Sequence, residues 1–129
     1  MINLTTKELA RTTDWCGVKS GRDFDKFKEM GLTKEKATVV KSPMIAESPI
    51  SVECKVDKIV PLGSHDMITA KIVAINVSDK FVNKKGAFDI SKCNLMAYAN
   101  GGYYPLGKKI GQFGFSVMKK STKKKKGIR

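Results

Sequence analysis

The most regular pattern of apolar and polar positions in this chain lies between residues 50 and 77. From Ile50 to Asp57 apolar and polar residues alternate strictly, which is the period of a strand with one buried face. The alternation slips by one place at Lys58–Ile59, as it does at a β-bulge. A segment rich in turn-forming residues follows at positions 61–66 and contains the only histidine, His65. We therefore predict a β-hairpin with His65 in its turn.

The return strand of this hairpin, residues 67–77, is apolar at most positions on both faces: Ile68, Ile72, Val73, Ile75 and Val77. Strands with two apolar faces are typical of the interior of a sheet or barrel. We therefore expect this hairpin to be the most buried part of the molecule. A histidine at its mouth is either a structural side chain or a titratable group of a functional site, and the pattern leaves both interpretations open.

A short strand and a first helix are predicted at the start of the chain. The strand is Met1–Leu4. Thr5 and Glu8 have the spacing of a capping box, which favours a helix that runs to about Thr13 and is ended by Trp15–Gly17.

A loop with anion-binding character is predicted at residues 17–23, before a second helix. The loop contains two glycines, a serine and two cations, and Asp23 is placed to cap a helix from Phe24 to Met30. Glycine N–H groups beside cations can bind an anion ahead of a helix. The alternative is an ordinary connection between two helices.

The overall composition indicates a globular protein. The chain has 129 residues, of which 41% are hydrophobic and 8% aromatic, as in a single folded domain. It contains no apolar run long enough to span a membrane, and its first residues do not resemble a signal peptide. Cys16, Cys54 and Cys93 are far apart and form no CxxC pair, so we expect reduced thiols, a cytoplasmic location and no metal site.

The positive charge is concentrated at the C-terminus. The formal net charge is +13, and seven lysines and arginines fall within residues 119–129, so six charges remain on residues 1–118. We therefore predict one folded domain over residues 1–118 and a basic disordered tail over residues 119–129. The tail is either a solvated extension or a segment that makes weak contacts with nucleic acid or acidic lipid.

Several catalytic classes lack their motifs in this sequence. There is no GxSxG elbow, no Walker loop and no GxGxxG sequence. Ser64 next to His65 does not form a nucleophile–base pair without a positioned acid. A single histidine without a second metal ligand also argues against a metal centre.

Four motifs, in their order along the chain, resemble the flavin reductase-like family and, more narrowly, its flavoredoxin-type members. The motifs are Trp15–Phe27, Ala46–Val56, Leu62–Met67 and Tyr103–Lys108 with Gly114–Ser116. The resemblance covers residues 1–118.

This resemblance implies a mainly β fold, a split β-barrel with flanking helices that forms a homodimer and binds FMN non-covalently. It also implies transfer of electrons from NAD(P)H or another donor, through the flavin, to an acceptor or a redox partner protein. Family members have several strands ahead of the segment that begins here at Met1. We therefore expect a barrel that is incomplete at its N-terminus.

The resemblance also assigns roles to individual residues. Lys26 matches a family lysine at the flavin, where an ammonium group stabilises negative charge. His65 matches the family's Gly-x-His turn, where an imidazole donates a hydrogen bond or exchanges a proton. Tyr98 corresponds to an aromatic residue stacked on the flavin, and Ser20 and Gly21 correspond to the ribityl-phosphate side.

Two other hypotheses remain open at the level of sequence. The chain could be a non-catalytic remnant of the same fold with weak or no flavin binding. It could also be a nucleic-acid-associated protein, but only the basic tail favours that interpretation.

Overall fold

The computed structural model describes residues 1–118, and the predicted basic tail at residues 119–129 lies outside the described residues. The strands are β1 (Ile2–Asn3), β2 (Lys34–Glu35), β3 (Met44–Ile45), β4 (Ile50–Pro61), β5 (Asp66–Val77), β6 (Met96–Ala99) and β7 (Gly102–Pro105). The α-helices are α1 (Ala10–Val18) and α2 (Lys26–Glu29), and 3-10 turns lie at Lys7–Leu9, Asp79–Phe81, Ile90–Lys92 and Phe115–Val117. The sheets have the orders β1-β4-β5, β2-β3 and β6-β7, with antiparallel neighbours. The prediction of a mainly β chain is confirmed.

The predicted hairpin is formed by β4 and β5, which pair along their whole length from Ile50↔Val77 to Pro61↔Asp66. The register shifts between Val56 and Lys58, which confirms the predicted bulge to within a residue and leaves Asp57 without a partner. A second shift, not predicted, leaves Val73 of β5 unpaired.

The two bulges place the apolar residues of the hairpin on one face. Directly paired residues of an antiparallel ladder share a face, and each bulge moves the following residues by one position. The face that carries Ile50 therefore continues to the tip through the pairs Val52–Ile75, Cys54–Ile72, Val56–Ala70 and Ile59–Ile68. The expectation that β5 has two apolar faces is wrong, because the bulges bring four of its five branched aliphatic side chains (Ile68, Ile72, Ile75 and Val77) to one side.

The expectation that the hairpin is the most buried part of the molecule is also wrong. Only its base is buried, with Ile50 7% exposed and Ser51 4% exposed. The apolar face beyond it is open, with exposed fractions of 54–63% for Val56, Ile59, Ile68, Ile72 and Ile75. β1 pairs with β4 only at Ser51 and Val52, so within residues 1–118 no strand continues the sheet beside the outer part of β4. An apolar pattern shows which side chains favour burial, but it does not show that other residues cover them.

Glu53 joins the base of the hairpin to residues 38–40, and its side chain is fully buried. Its carboxylate accepts four hydrogen bonds of 2.7–2.8 Å, from the N–H groups of Thr38, Val39 and Val40 and from Asn76 Nδ2. Burial alone raises the pKa of this carboxyl, but the hydrogen bonds outweigh burial and lower the pKa to about 2. At the base of the hairpin the polar face is therefore buried, together with Ile50 at the end of the apolar face.

Helix α1 extends further than predicted. It continues to Val18 through Trp15–Gly17, and the Lys19 N–H still bonds to the Trp15 carbonyl oxygen at 3.0 Å. The prediction that these residues end the helix is wrong, because Trp and a single Gly are tolerated inside a helix. The predicted capping box is also absent. Thr6 precedes the first 3-10 turn without a side-chain cap, and the Glu8 carboxylate accepts from Asn94 at 2.9 Å.

Helix α2 is shorter than predicted and has a different cap. Asp25, rather than Asp23, accepts hydrogen bonds from the N–H groups of Phe27 and Lys28 at 3.1 and 3.3 Å. An aspartate at the N-cap fixes the start of a helix at the next residue, here Lys26. This start places Lys26 in the first turn of α2.

The β6–β7 hairpin is closed by a two-residue turn at Asn100 and Gly101, with φ of 46° and 76°. An Asn-Gly pair suits a tight hairpin turn because both positions need positive φ. The base of this hairpin is joined to the segment before α1, where Thr6 bridges Leu95 and the Met96 N–H bonds to the Thr5 carbonyl oxygen at 3.2 Å.

Candidate functional site

The loop before α2 folds back on itself around Ser20. The Ser20 carbonyl oxygen accepts from the N–H groups of Asp23 and Phe24 at 3.2 Å, and its Oγ accepts from the Arg22 N–H, also at 3.2 Å. The Phe24 ring meets the Trp15 ring of α1 edge-on, with 5.5 Å between centroids. The predicted anion-binding loop is thus ordered against the end of α1.

Lys26 is held against the last turn of α1. Its Nζ donates a hydrogen bond to the Cys16 carbonyl oxygen at 2.5 Å, where the partial negative charge of a helix C-terminus favours a cation. A Cβ atom built on Gly21 would lie 3.7 Å from Lys26 Cε, so Gly21 and Lys26 are neighbours. The structure brings these two predicted site residues together.

An open cleft of about 520 Å³ lies over this pair. It is lined by Gly21, Arg22, Asp23, Phe24, Asp25, Lys26 and Lys34. The lining contains two carboxylates and three cations, and one of the carboxylates, Asp25, accepts the capping hydrogen bonds of α2. The cationic side chains of this lining can bind a phosphate-sized anion.

Tyr98 lies on β6 with 66% of its surface exposed. It pairs directly with Tyr103 of β7, and the two ring centroids are 5.1 Å apart at an interplanar angle of 56°. The Tyr103 hydroxyl donates to Asp14 Oδ1 of α1 at 3.2 Å. Burial, followed by the hydrogen bond and negative charge of Asp14, raises the pKa of Tyr103.

His65 lies apart from these residues, in the turn at the tip of the β4–β5 hairpin. The turn is closed by the Leu62 N–H bonded to the His65 carbonyl oxygen at 2.8 Å, and His65 Nδ1 lies 2.9 Å from Ser64 Oγ. The extended strand from Glu53 to Pro61 carries this turn roughly 26 Å from the buried base. Within residues 1–118, His65 is not among the lining residues of the cleft over Lys26, and its side-chain hydrogen-bond contact is with Ser64.

Sequence reasoning missed Asp14, Tyr103 and Lys34 as members of this region. The Asn100–Gly101 pair could have indicated Tyr103, because a two-residue turn there makes residues 98 and 103 direct partners. The sequence offers no local signal for Asp14, which is 89 positions from its partner.

Neither a metal cluster nor a transmembrane helix is found in the part of the chain that the structure describes. Residues 1–118 contain no group of three or more histidine, cysteine or acidic side chains arranged for a metal ion. In the same residues, no helix is long and apolar enough to cross a membrane.

The sequence profile of the flavin reductase like domain matches residues 1–107. The chain belongs to this family. An uncharacterized protein of Aquifex aeolicus is 27% identical to this flavin reductase-like chain over 104 residues, which are 81% of this chain and 53% of that protein. The chain spans about half the length of the curated relatives it matches.

Two solved structures have the same fold. Flavoredoxin of Desulfovibrio vulgaris matches with a TM-score of 0.80 and 24% identity, over 91% of this chain and 63% of the flavoredoxin. A split barrel domain protein of Shewanella frigidimarina matches with a TM-score of 0.70 and 21% identity, over 86% of this chain and 57% of that chain. The resemblance to flavoredoxin-type, split-barrel proteins is confirmed at the level of the fold.

Proposed function

We propose that this chain binds FMN and passes electrons from NAD(P)H, or from another donor, to an acceptor or a redox partner protein. The observation that carries the proposal is the cationic cleft over Gly21 and Lys26 in a chain of the flavin reductase-like family. A bound flavin would supply the electron-transfer chemistry, and the protein would supply binding, orientation and electrostatics.

The residues around the cleft fit the phosphate side of FMN. Lys26 and Arg22 provide positive charge at its lining. Ser20 Oγ accepts a hydrogen bond from the Arg22 N–H, which leaves the hydroxyl hydrogen available to an oxygen of the ligand. Gly21 allows close approach of the backbone, because it has no side chain.

The ring side of the ligand is assigned to Tyr98 and His65. The exposed face of the Tyr98 ring is suited to stacking on a planar heterocycle. The His65 imidazole can donate or accept a hydrogen bond and can act as a proton donor or acceptor. Because His65 lies at the tip of a projecting hairpin, we propose that it reaches the site only when two chains assemble.

The proposed assembly is a homodimer that buries the apolar face of the β4–β5 hairpin. The exposed aliphatic side chains on that face offer on the order of 600 Å², which is at the upper end of the largest apolar patch on a typical monomer and about three quarters of one partner's share of a standard interface. The three cysteines are free thiols, which supports a reducing compartment such as the cytoplasm.

Titration of the purified chain with FMN, followed by flavin fluorescence and calorimetry, tests the proposed function. Loss of a charge-assisted contact in Lys26→Ala should weaken binding about tenfold to a hundredfold. Lys28→Ala, an exposed lysine on the same helix, is the matched control and should leave affinity unchanged. Equal effects of the two variants, or no binding by the unmodified chain, would instead favour the remnant hypothesis.

A further inference from the structure

The Tyr98 ring has one supported side and one open side. Its supported side contacts the ring of Tyr103 across the β6–β7 ladder, with 5.1 Å between centroids, while 66% of the residue stays exposed. An aromatic side chain on an open strand loses rotamer freedom when it binds a ligand, and ordering it in advance reduces that loss. The Tyr98–Tyr103 contact provides such ordering.

Tyr103 is itself held at both ends. Its backbone belongs to β7, and its hydroxyl donates to Asp14 Oδ1 of α1 at 3.2 Å. The raised pKa of Tyr103 keeps the phenol protonated, and therefore a donor, through neutral and mildly alkaline pH. Asp14 holds Tyr103 through this hydrogen bond, and Tyr103 in turn contacts the Tyr98 ring. Asp14 therefore restrains Tyr98 indirectly.

The same helix also supports Lys26. The Cys16 carbonyl oxygen, two residues beyond Asp14, accepts the hydrogen bond from Lys26 Nζ. The base of the β6–β7 hairpin is attached just ahead of α1, where the Lys7 N–H bonds to the Asn94 carbonyl oxygen at 2.8 Å. The hairpin is thus fastened to one continuous segment at two points, which fixes its direction relative to Lys26.

We propose that Asp14 and Tyr103 are positioning residues that orient the Tyr98 ring towards the flavin, on the helix that also anchors Lys26. This inference rests on the proposed function, since the flavin is the ligand for which Tyr98 is oriented. Both residues act through Tyr98, so their effect depends on its presence.

The first test is made without flavin, by aromatic NMR of the unliganded chain. Tyr103→Phe keeps the ring but removes the hydroxyl, and it should shift and broaden the Tyr98 ring signals. Asp14→Asn keeps an acceptor oxygen and should have a smaller effect than Asp14→Ala. Tyr104→Phe is the matched control, because the Tyr104 hydroxyl has no hydrogen-bond partner within residues 1–118.

The second test measures the dissociation constant of FMN. We expect Tyr103→Phe to raise it about threefold to tenfold, with a melting temperature within about 2 °C of the unmodified chain. In a Tyr98→Ala background the same change should have no further effect, which is the signature of action through Tyr98.

An equal weakening with and without the Tyr98 ring would show a general structural role and overturn the proposal. Unchanged Tyr98 signals in Tyr103→Phe would overturn it as well. If the unmodified chain binds no FMN, the proposed function fails, whereas the NMR comparison still decides whether Asp14 and Tyr103 hold Tyr98.

Discussion

The base and the outer part of the β4–β5 hairpin belong to the same two strands but lie in opposite environments. At the base, Ser51 and Glu53 are buried on the polar face, and Glu53 binds three consecutive N–H groups of residues 38–40. In the outer part both faces are exposed, although one of them is lined with Val56, Ile59, Ile68 and Ile72. The base is therefore held by hydrogen bonds within the chain, and the outer part has an apolar face with no covering layer within residues 1–118.

This contrast shows that an alternating pattern defines two faces without defining which face is buried. At the base, the polar face is buried because each buried polar atom of Glu53 has a partner. In the outer part, the apolar face is exposed within residues 1–118, and we propose that a second copy of the chain covers it.

The largest loss of stability is expected from Glu53→Gln at the base. Both oxygens of the carboxylate accept hydrogen bonds from backbone N–H groups. In the glutamine side chain an NH2 group replaces one of these oxygens, so a donor faces a backbone donor and a hydrogen bond is lost. We expect the melting temperature to fall by about 10 °C or more, as measured by circular dichroism. Asp57→Asn is the control in the outer part of the same strand, since its ion pair with Lys71, at 3.3 Å, is exposed and contributes little. Equal losses in the two variants would contradict the contrast.

The same carboxylate predicts an acid-dependent loss of stability. The Glu53 pKa is about 2 in the folded chain, against an ordinary value of 4.5. Between these values the unfolded chain binds the proton and the folded chain does not. The free energy of unfolding therefore falls as pH decreases from about 4.5 to 2, and the stabilising contribution of Glu53 is fully present above that range. Urea midpoints at pH 7, 4.5 and 3 should decrease more in the unmodified chain than in Glu53→Gln.

How far the sequence predicted the structure depends on where each interaction partner lies. The hairpin, its turn and the bulge near Lys58 follow from local alternation and turn residues, and they are confirmed. The partners of Glu53 lie 13–23 positions away, and the partner of Tyr103 lies 89 positions away, so no local pattern indicates them. Among the predicted site residues, Gly21 and Lys26 are neighbours in space because the loop between them is short. The positions of His65 and Tyr98 relative to these residues depend on contacts between segments far apart in the sequence.

A smaller effect on the fold is expected from charges on the apolar face of the outer part. Ile68→Lys with Ile72→Lys places two cations on one face of β5, since residues separated by an even number share a face. If that face forms the proposed homodimer, sedimentation should show a change from dimer to monomer, with the circular dichroism of the fold retained. Val18→Lys, at a residue that is 75% exposed on α1, should leave the oligomeric state unchanged. A monomer before any substitution would refute the homodimer.

The smallest effect on the fold is expected at the tip, from His65→Ala. The side chain is exposed and its hydrogen-bond contact is with the adjacent Ser64, so the melting temperature should change by less than about 2 °C. Reduction by NAD(P)H should nevertheless slow by on the order of a hundredfold if the imidazole assists proton transfer. A loss of stability that matches the loss of activity would identify a structural histidine instead.

Mixing His65→Ala chains with Lys26→Ala chains separates action within one chain from action between two. In a two-fold dimer whose sites combine Lys26 of one copy with His65 of the other, each mixed dimer regains one site with both native residues. Random mixing then restores about a quarter of the unmodified activity. If both residues act from the same chain, each site of the mixed dimer lacks one of them, and no activity returns. The second result would require the hairpin to fold back over its own cleft, against the separation between its base and its tip.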